Sequence, residues 1–120
     1  MRLLIIDDEP RIGLTLRLLL EEHDVTVATS GSEAREELDG GAFDAVLCDL
    51  ALDDESGVEL TRWIREHRPD LAERVVLMTG GAITAEDRAL VRSLPPERRL
   101  DKPFTAAQVR AALESLVTPR

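Results

Sequence analysis

The sequence predicts an α/β fold in which five β-α units build a doubly wound parallel sheet with helices on both faces. Short apolar runs typical of strands alternate along the chain with segments whose apolar residues are spaced by three and four. Most of these runs are nearly continuous, as expected for strands that are covered on both faces. Helix-start signals follow the strand-like runs after short connections, which favours right-handed crossovers and helices on both sides of the sheet.

Four of the five strands are indicated by β-type apolar runs. These runs are Leu3–Ile6, Val25–Ala28, Ala45–Cys48 and Val75–Met78. The fifth strand is predicted near Arg98–Asp101, where Leu100 is the only apolar residue. Each run is followed by a helical segment, so the order of elements is β-α repeated five times.

The helices are predicted from apolar stripes and from their first turns. The stripes are Ile12, Leu16, Leu19 and Leu20; Leu60, Ile64 and His67; and Val109, Ala112, Leu113 and Leu116. Capping-box spacing occurs at Ser30/Glu33, Ser56/Glu59, Thr84/Asp87 and Thr105/Gln108. Pro10 suits the first turn of the first helix, and Thr118-Pro119-Arg120 is typical of a helix stop.

Length, charge and cysteine content limit the class of protein. The 120 residues predict one domain over residues 1–118, with no effector domain among them. The net charge of −9 argues against direct nucleic-acid binding, and no apolar run approaches the ~18 residues of a membrane span. Cys48 is the only cysteine, which excludes an internal disulfide and indicates a reducing cytoplasm.

Chemically distinctive residues follow the predicted strands at the carboxyl edge of the sheet, where ligands bind in such folds. Lys102 is the single lysine beside fourteen arginines, which hints at a site that needs a compact ammonium. The residues at this edge are Asp7 and Asp8, Asp49, Thr79-Gly80-Gly81, and Lys102, after the first, third, fourth and fifth strands respectively.

This set predicts a site for a phosphoryl group and a divalent cation. Three carboxylates brought together raise the pKa of at least one of them unless a cation intervenes. Mg²⁺ fits best, because it accepts one or two carboxylates and keeps waters that a phosphate can displace. Lys102, the Thr79 hydroxyl and backbone N–H groups would neutralise a transferring phosphoryl group. Taken singly, each residue has a structural explanation, such as Asp8 or Glu9 capping the first helix.

The motifs that these residues belong to resemble the receiver domain of two-component response regulators over almost the whole chain. They are Leu4-Ile5-Ile6-Asp7-Asp8-Glu9-Pro10, Val46-Leu47-Cys48-Asp49-Leu50 with Gly57 eight residues after Asp49, Met78-Thr79-Gly80, and Asp101-Lys102-Pro103-Phe104. The resemblance implies a flavodoxin-like sheet with strand order 2-1-3-4-5. The Thr79-Gly80-Gly81 segment also resembles receivers at the C-terminus of hybrid sensor histidine kinases, and a stand-alone receiver would have the same pattern.

The resemblance implies a role for each residue. Asp49 would accept a phosphoryl group from a phosphohistidine on a histidine kinase or a histidine phosphotransfer protein. Asp8, Asp49 and the Ala51 carbonyl would bind Mg²⁺, with Asp7 holding a metal-bound water. The phosphoryl group would be bound at Ala51, Thr79, Gly80 and Lys102, and the peptide bond before Pro103 would be cis. A downstream protein target is implied, and self-association into a homodimer stays open.

The chain departs from the receiver pattern at two places. Asp53, followed by Asp54 and Glu55, stands where receivers commonly have proline, which predicts more negative charge beside the site. Arg99 stands where many receivers have a Tyr or Phe that moves with the threonine. We therefore expect phosphorylation to reposition Thr79 and an arginine-bearing surface with Arg92, Arg98 and Arg99 to be read by the partner.

Three functions fit the sequence. The first is a phosphoacceptor switch that catalyses only its own phosphorylation and dephosphorylation. The second is an interaction module of the same fold that is never phosphorylated, against which the intact acidic set and Lys102 argue. The third is a Mg²⁺-dependent phosphohydrolase, for which the usual second carboxylate is missing because Ala51 lies two residues after Asp49. A P-loop nucleotide site is excluded by the absence of its motif.

Overall fold

The computed structural model describes residues 1–80 and 84–117. Five strands alternate with five helices, and two short 3₁₀ turns, Pro69–Leu71 and Pro96–Arg98, precede the fourth and fifth strands. The elements are β1 (Arg2–Ile6), α1 (Pro10–Leu19), β2 (Asp24–Ala28), α2 (Gly31–Gly40), β3 (Ala45–Asp49), α3 (Gly57–His67), β4 (Val75–Thr79), α4 (Ala85–Ser93), β5 (Arg99–Asp101) and α5 (Ala106–Val117).

All five strands belong to one parallel sheet in the order β2-β1-β3-β4-β5. The predicted fold class and strand order are therefore confirmed. The order reverses between β1 and β3, and in such sheets the reversal opens a crevice at the carboxyl ends of the strands. Asp7 follows β1 directly, and Asp49 is the last residue of β3, so both lie at this crevice.

The core forms two layers, one on each face of the sheet, because β1, β3 and β4 are buried on both faces. The α2–α4 layer consists of Leu4, Ile6, Ala28, Ala34, Leu38, Phe43, Val46, Cys48, Leu50, Leu52, Leu60, Ile64, Leu71, Val75 and Leu77. The α1–α5 layer consists of Leu3, Ile5, Leu16, Leu20, Ala45, Leu47, Val76, Met78, Leu100, Val109, Ala112 and Leu113.

The predicted helix starts are observed. In α2 and α3 the serine hydroxyl before the helix accepts a hydrogen bond from the backbone N–H three residues on, and in α4 and α5 the box is reciprocal. The pairs are Ser30–Glu33, Ser56–Glu59, Thr84–Asp87 and Thr105–Gln108. Pro10 begins α1, but Glu9, at the position before it, makes no side-chain cap. The alternative that Glu9 caps α1 is therefore wrong.

Two members of the predicted stripes lie outside the core. Leu19 is 42% exposed, because it lies at the end of α1 beside the groove that this helix forms with the start of α5. His67 is exposed at the end of α3, where its ring stacks on Trp63. In the described part of the chain, no helix is long and apolar enough to cross a membrane. The predicted stop at 118–120 lies outside the described residues.

Candidate functional site

The carboxyl edge of the sheet brings three acids and one lysine together. Carboxylate oxygens of Asp7, Asp8 and Asp49 lie within 4.8 Å of one another. The Lys102 ammonium donates to Asp7 Oδ2 at 3.0 Å and to Asp49 Oδ2 at 3.2 Å. Asp7 is fully buried and Asp49 is 5% exposed, so the single lysine of the chain bridges two carboxylates that are almost removed from water.

Local backbone donors hold the two carboxylates in place. Asp7 Oδ1 accepts a hydrogen bond from the Glu9 backbone N–H at 2.9 Å. Asp49 Oδ1 accepts one from the Ala51 backbone N–H at 3.1 Å. Each carboxylate therefore turns one oxygen to its own loop and the other to Lys102, which fixes both side chains relative to the sheet.

Gly57 lets the start of α3 approach the end of β3 closely. Its backbone N–H donates to the Leu50 carbonyl at 2.8 Å. A Cβ atom at this position would lie 2.7 Å from Leu50 Cα and 3.0 Å from the Asp49 carbonyl oxygen. Because both of these are backbone atoms, any side chain here would displace the segment that carries Asp49.

Burial and the charges of neighbouring acids raise the pKa values of two acids of the site, Asp8 and Asp49. The pKa of Asp8 is raised to about 6 by burial, by a hydrogen bond to the Asp53 side chain and by the charges of Asp53, Asp49 and Asp7. Burial raises the pKa of Asp49 as well, with Asp7 adding to the effect, while the Ala51 N–H and Lys102 oppose it. Burial alone would lower the pKa of Lys102, but its bonds to Asp7 and the charge of Asp49 outweigh burial and raise it. The negative charges of Asp8 and Asp49 are thus only partly compensated by their surroundings.

Only one acid of the Asp53-Asp54-Glu55 run faces the site. Asp53 is the partner of Asp8. Asp54 turns to α2, where its two carboxylate oxygens accept from the Gly31 and Ser32 backbone N–H groups at 2.9 Å and 3.1 Å. Glu55 is nearly buried and pairs with Arg35. The expectation that all three acids add charge beside the site is therefore wrong for Asp54 and Glu55, which tie the β3–α3 loop to α2.

Thr79 and Gly80 lie at the end of β4, next to β3. Thr79 is 9% exposed, and its hydroxyl donates to Asp101 Oδ1 at 2.7 Å. A Cβ atom on Gly80 would lie 3.0 Å from Lys102 Cβ and 3.1 Å from Lys102 Cδ, so this glycine packs on the lysine stem. Gly81 lies outside the described residues. The Lys102-Pro103 peptide bond is cis, as the resemblance implied.

The predicted arginine-bearing surface is only partly free. Arg98 donates to the backbone carbonyls of Val75 at 3.1 Å and Ala72 at 3.0 Å, because it bridges the turn before β5 to the segment that leads into β4. Its guanidinium therefore holds the fold together and is withdrawn from a partner. Arg92 is exposed and Arg99 half-buried.

The donor set suits a hard divalent cation such as Mg²⁺. Asp7, Asp8 and Asp49 supply oxygen ligands at one point, and burial together with the neighbouring acids raises the pKa of Asp8 and of Asp49. Ala51, whose carbonyl was predicted to join them, follows Asp49 by two residues and is exposed. The residues present therefore fit the predicted cofactor.

Sequence reasoning missed three contacts of the site. Asp101 was noted only as part of a motif, but it is the acceptor for Thr79. The contact between Asp53 and Asp8 crosses from the β3–α3 loop to the β1–α1 loop, and the packing of Gly57 against Leu50 depends on the placement of α3. The Thr79–Asp101 contact alone had a usable signal, since both residues end adjacent strands.

Comparisons with known proteins agree with the motifs. The family model for the response regulator receiver domain matches residues 3–114. The transcriptional regulatory protein TcrA of Mycobacterium tuberculosis (strain ATCC 25618 / H37Rv) is 34% identical over 118 residues, which cover 96% of this chain and 45% of that protein. The transcriptional regulatory protein QseB of Haemophilus influenzae is 30% identical over 122 residues, covering 100% and 54%. The chain thus spans about half the length of these curated relatives.

Solved structures show the same fold. A response regulator receiver domain protein from Clostridium thermocellum superposes with a TM-score of 0.81 at 28% identity, covering 97% of this chain and 93% of that chain. A response regulator receiver protein from Sinorhizobium medicae WSM419 superposes with a TM-score of 0.79 at 32% identity, with the same coverage.

Proposed function

We propose that this chain, which belongs to the response regulator receiver domain family, is a switch that accepts a phosphoryl group on Asp49. The predicted resemblance to receiver domains is confirmed, and receiver domains are signalling domains rather than classical enzymes. The observation that best supports the proposal is the bridge from Lys102 to both Asp7 and Asp49. It places a compact cation beside a nearly buried carboxylate, at the edge of the sheet where a ligand can approach.

The proposed reaction needs no general base, since a carboxylate is already a nucleophile. A carboxylate oxygen of Asp49 attacks the phosphorus of a phosphohistidine, and the phosphorus–nitrogen bond breaks. Its electron pair stays on the donor imidazole, which takes up a proton from water. The product is an acyl phosphate on Asp49. We expect Lys102 to turn from the free carboxylate to a phosphoryl oxygen, with the Gly80 N–H and the Thr79 hydroxyl as further donors.

Mg²⁺ at Asp7, Asp8, Asp49 and the Ala51 carbonyl would supply neutralisation of the phosphoryl charge. The protein's own residues contribute position. Asp49 is fixed by the Ala51 N–H, and Asp7 holds Lys102 in reach through a bond of 3.0 Å. Because Asp7 is fully buried, it anchors the ammonium while the phosphoryl group replaces Asp49 as the other partner.

The proposed partners are a histidine kinase or histidine phosphotransfer protein as donor and a downstream protein as target, with homodimer formation still open. We place the reaction in the cytoplasm, where Cys48, buried in β3, stays a thiol. The phosphohydrolase alternative stays disfavoured, because Ala51 cannot act as an acid or base. The interaction-module alternative makes the opposite prediction in the experiment that follows.

Intact mass spectrometry tests the proposal. The protein is mixed with acetyl phosphate and Mg²⁺, and we expect the mass of one phosphoryl group to be added. Asp49→Ala should not gain it, whereas the control Asp39→Ala, which removes an exposed acid on α2, should gain it as wild type does. Absence of the adduct in wild type, or an adduct that survives in Asp49→Ala, would refute the proposed function.

A further inference from the structure

Thr79 and Asp101 face each other across the β4–β5 pair, at the last position of each strand. The two residues are register partners in the parallel ladder, and register partners have side chains on the same face of a sheet. Their hydrogen bond of 2.7 Å is as short as expected for a hydroxyl that donates to a carboxylate. The contact therefore follows from strand pairing rather than from a chance rotamer.

Alternation along the strands turns Thr79 away from Asp49. In β4, Leu77 belongs to the α2–α4 layer and Met78 to the α1–α5 layer, so Thr79 follows the parity of Leu77. Asp49 is the register partner of Met78, so it lies on the α1–α5 face of the sheet, opposite to Thr79. The Thr79 hydroxyl therefore starts on the other side of the sheet edge from the carboxylate it has to serve.

Thr79 has one hydroxyl proton, so it can donate to one acceptor at a time. In the structure that acceptor is Asp101. Phosphorylation of Asp49 would add new oxygen acceptors next to the end of β4, and these would compete with Asp101 for the same proton.

We propose that Asp101 is a positioning residue whose carboxylate holds the Thr79 hydroxyl away from Asp49 and releases it when the Asp49 phosphoryl group forms. This inference rests on the proposed function. In many receivers an aromatic residue at the position of Arg99 moves together with the threonine. Arg99 has no aromatic ring, and we assign to Asp101 the role of linking the movement of Thr79 to phosphorylation.

The test is a mutant cycle read by the binding of beryllofluoride, a stand-in for the phosphoryl group, in saturating Mg²⁺ by calorimetry. Asp101→Ala should bind beryllofluoride about tenfold more tightly than wild type, since a hydrogen bond to a charged acceptor no longer has to be broken. Asp101→Asn, which keeps a weaker acceptor, should gain less. In the Thr79→Ala background, adding Asp101→Ala should leave the affinity for beryllofluoride unchanged. In the Thr79→Ser background, which keeps the hydroxyl, Asp101→Ala should again increase the affinity.

The mutant cycle distinguishes two effects of Asp101: a hydrogen bond that holds the Thr79 hydroxyl, and a negative charge that repels beryllofluoride. An equal gain with and without the Thr79 hydroxyl would mean that Asp101 acts through its charge alone, and it would overturn the proposal, as would no gain at all. If wild type itself bound no beryllofluoride, the proposed function would fail, but the hold of Asp101 on the Thr79 hydroxyl could still be measured in the metal-free protein. In the metal-free protein, three-bond couplings to the Thr79 methyl carbon should show a change of rotamer in Asp101→Ala, and an unchanged rotamer would contradict the inference.

Discussion

Asp8 is the acid of the site whose charge is least compensated. Lys102 pairs with Asp7 and Asp49, whereas the pKa of Asp8 is raised to about 6 by burial and by the acids around it. Uncompensated charge in a folded site opposes folding, and a bound cation reverses that opposition. The stability of the protein should therefore depend on this residue in opposite ways with and without metal.

We predict that Asp8→Asn melts at a higher temperature than wild type in a chelator, because it removes a charge that is opposed by burial and by the neighbouring acids. The rise should be roughly 3–6 °C for each kcal/mol of relieved destabilisation in a domain of this size. Adding Mg²⁺ should raise the melting temperature of wild type and leave that of the variant nearly unchanged. Differential scanning calorimetry measures both values, with Asp39→Asn as the control. A variant that melts below wild type in chelator would show that the Asp8 charge does not destabilise the metal-free fold.

Gly57 gives a second prediction at the scale of one residue. Gly57→Ala should lower the free energy of unfolding by about 1–3 kcal/mol, because the added methyl group collides with the backbone of Leu50 and Asp49. Gly40→Ala is the matched control: it lies at the end of α2 with nothing within 4 Å of its added Cβ, so the same change should be neutral or stabilising. Urea titration measures both, and equal effects would refute the steric explanation.

The β3–α3 loop is tied to α2 more strongly than the sequence indicated. Asp54 caps the first N–H groups of α2, and Glu55 pairs with Arg35, whose guanidinium lies over the Trp63 ring at 5.7 Å. The loop that carries Ala51 is thereby held against the start of α2. This arrangement connects the site to α2 and α3 by direct contacts.

Asp54→Ala should lower the melting temperature, because two N–H groups at the start of α2 lose their acceptors. The adjacent Asp53→Ala is the control and should not lower it, since Asp53 adds repulsion at Asp8. Amide hydrogen exchange should become faster at Gly31 and Ser32 in the first variant and stay unchanged in the second. Unchanged exchange at these two amides would contradict the capping role.

Elements with a local signal were predictable, and contacts that depend on the placement of several elements were not. The strands and caps are set by neighbouring residues, and the edge residues follow from where the strands end. By contrast, Arg98 is withdrawn from the surface only because the turn before β5 packs beside the start of β4. The separate directions of Asp53 and Asp54 likewise depend on where α2 begins, which no spacing within their own loop encodes.

At the scale of the whole molecule, one sheet separates two apolar layers and connects them. The α2–α4 layer and the α1–α5 layer share no helix, but each packs on β1, β3 and β4. Every strand end of the site belongs to this shared sheet. The two layers should therefore unfold together, because loss of either layer exposes one apolar face of the sheet on which the other layer packs.

The single tryptophan makes this prediction measurable. Trp63 packs on the α2–α4 layer, whereas circular dichroism reports on all the helices. Leu113→Ala removes a side chain that is 2% exposed in the α1–α5 layer and should cost about 2–5 kcal/mol. Because unfolding is cooperative, the Trp63 fluorescence transition in urea should shift as far as the circular dichroism transition. Leu18→Ala, at a leucine that is 77% exposed on α1, should shift neither by more than about 0.5 kcal/mol. A tryptophan transition that stays in place in Leu113→Ala would mean that the layers unfold independently and that the sheet does not couple them.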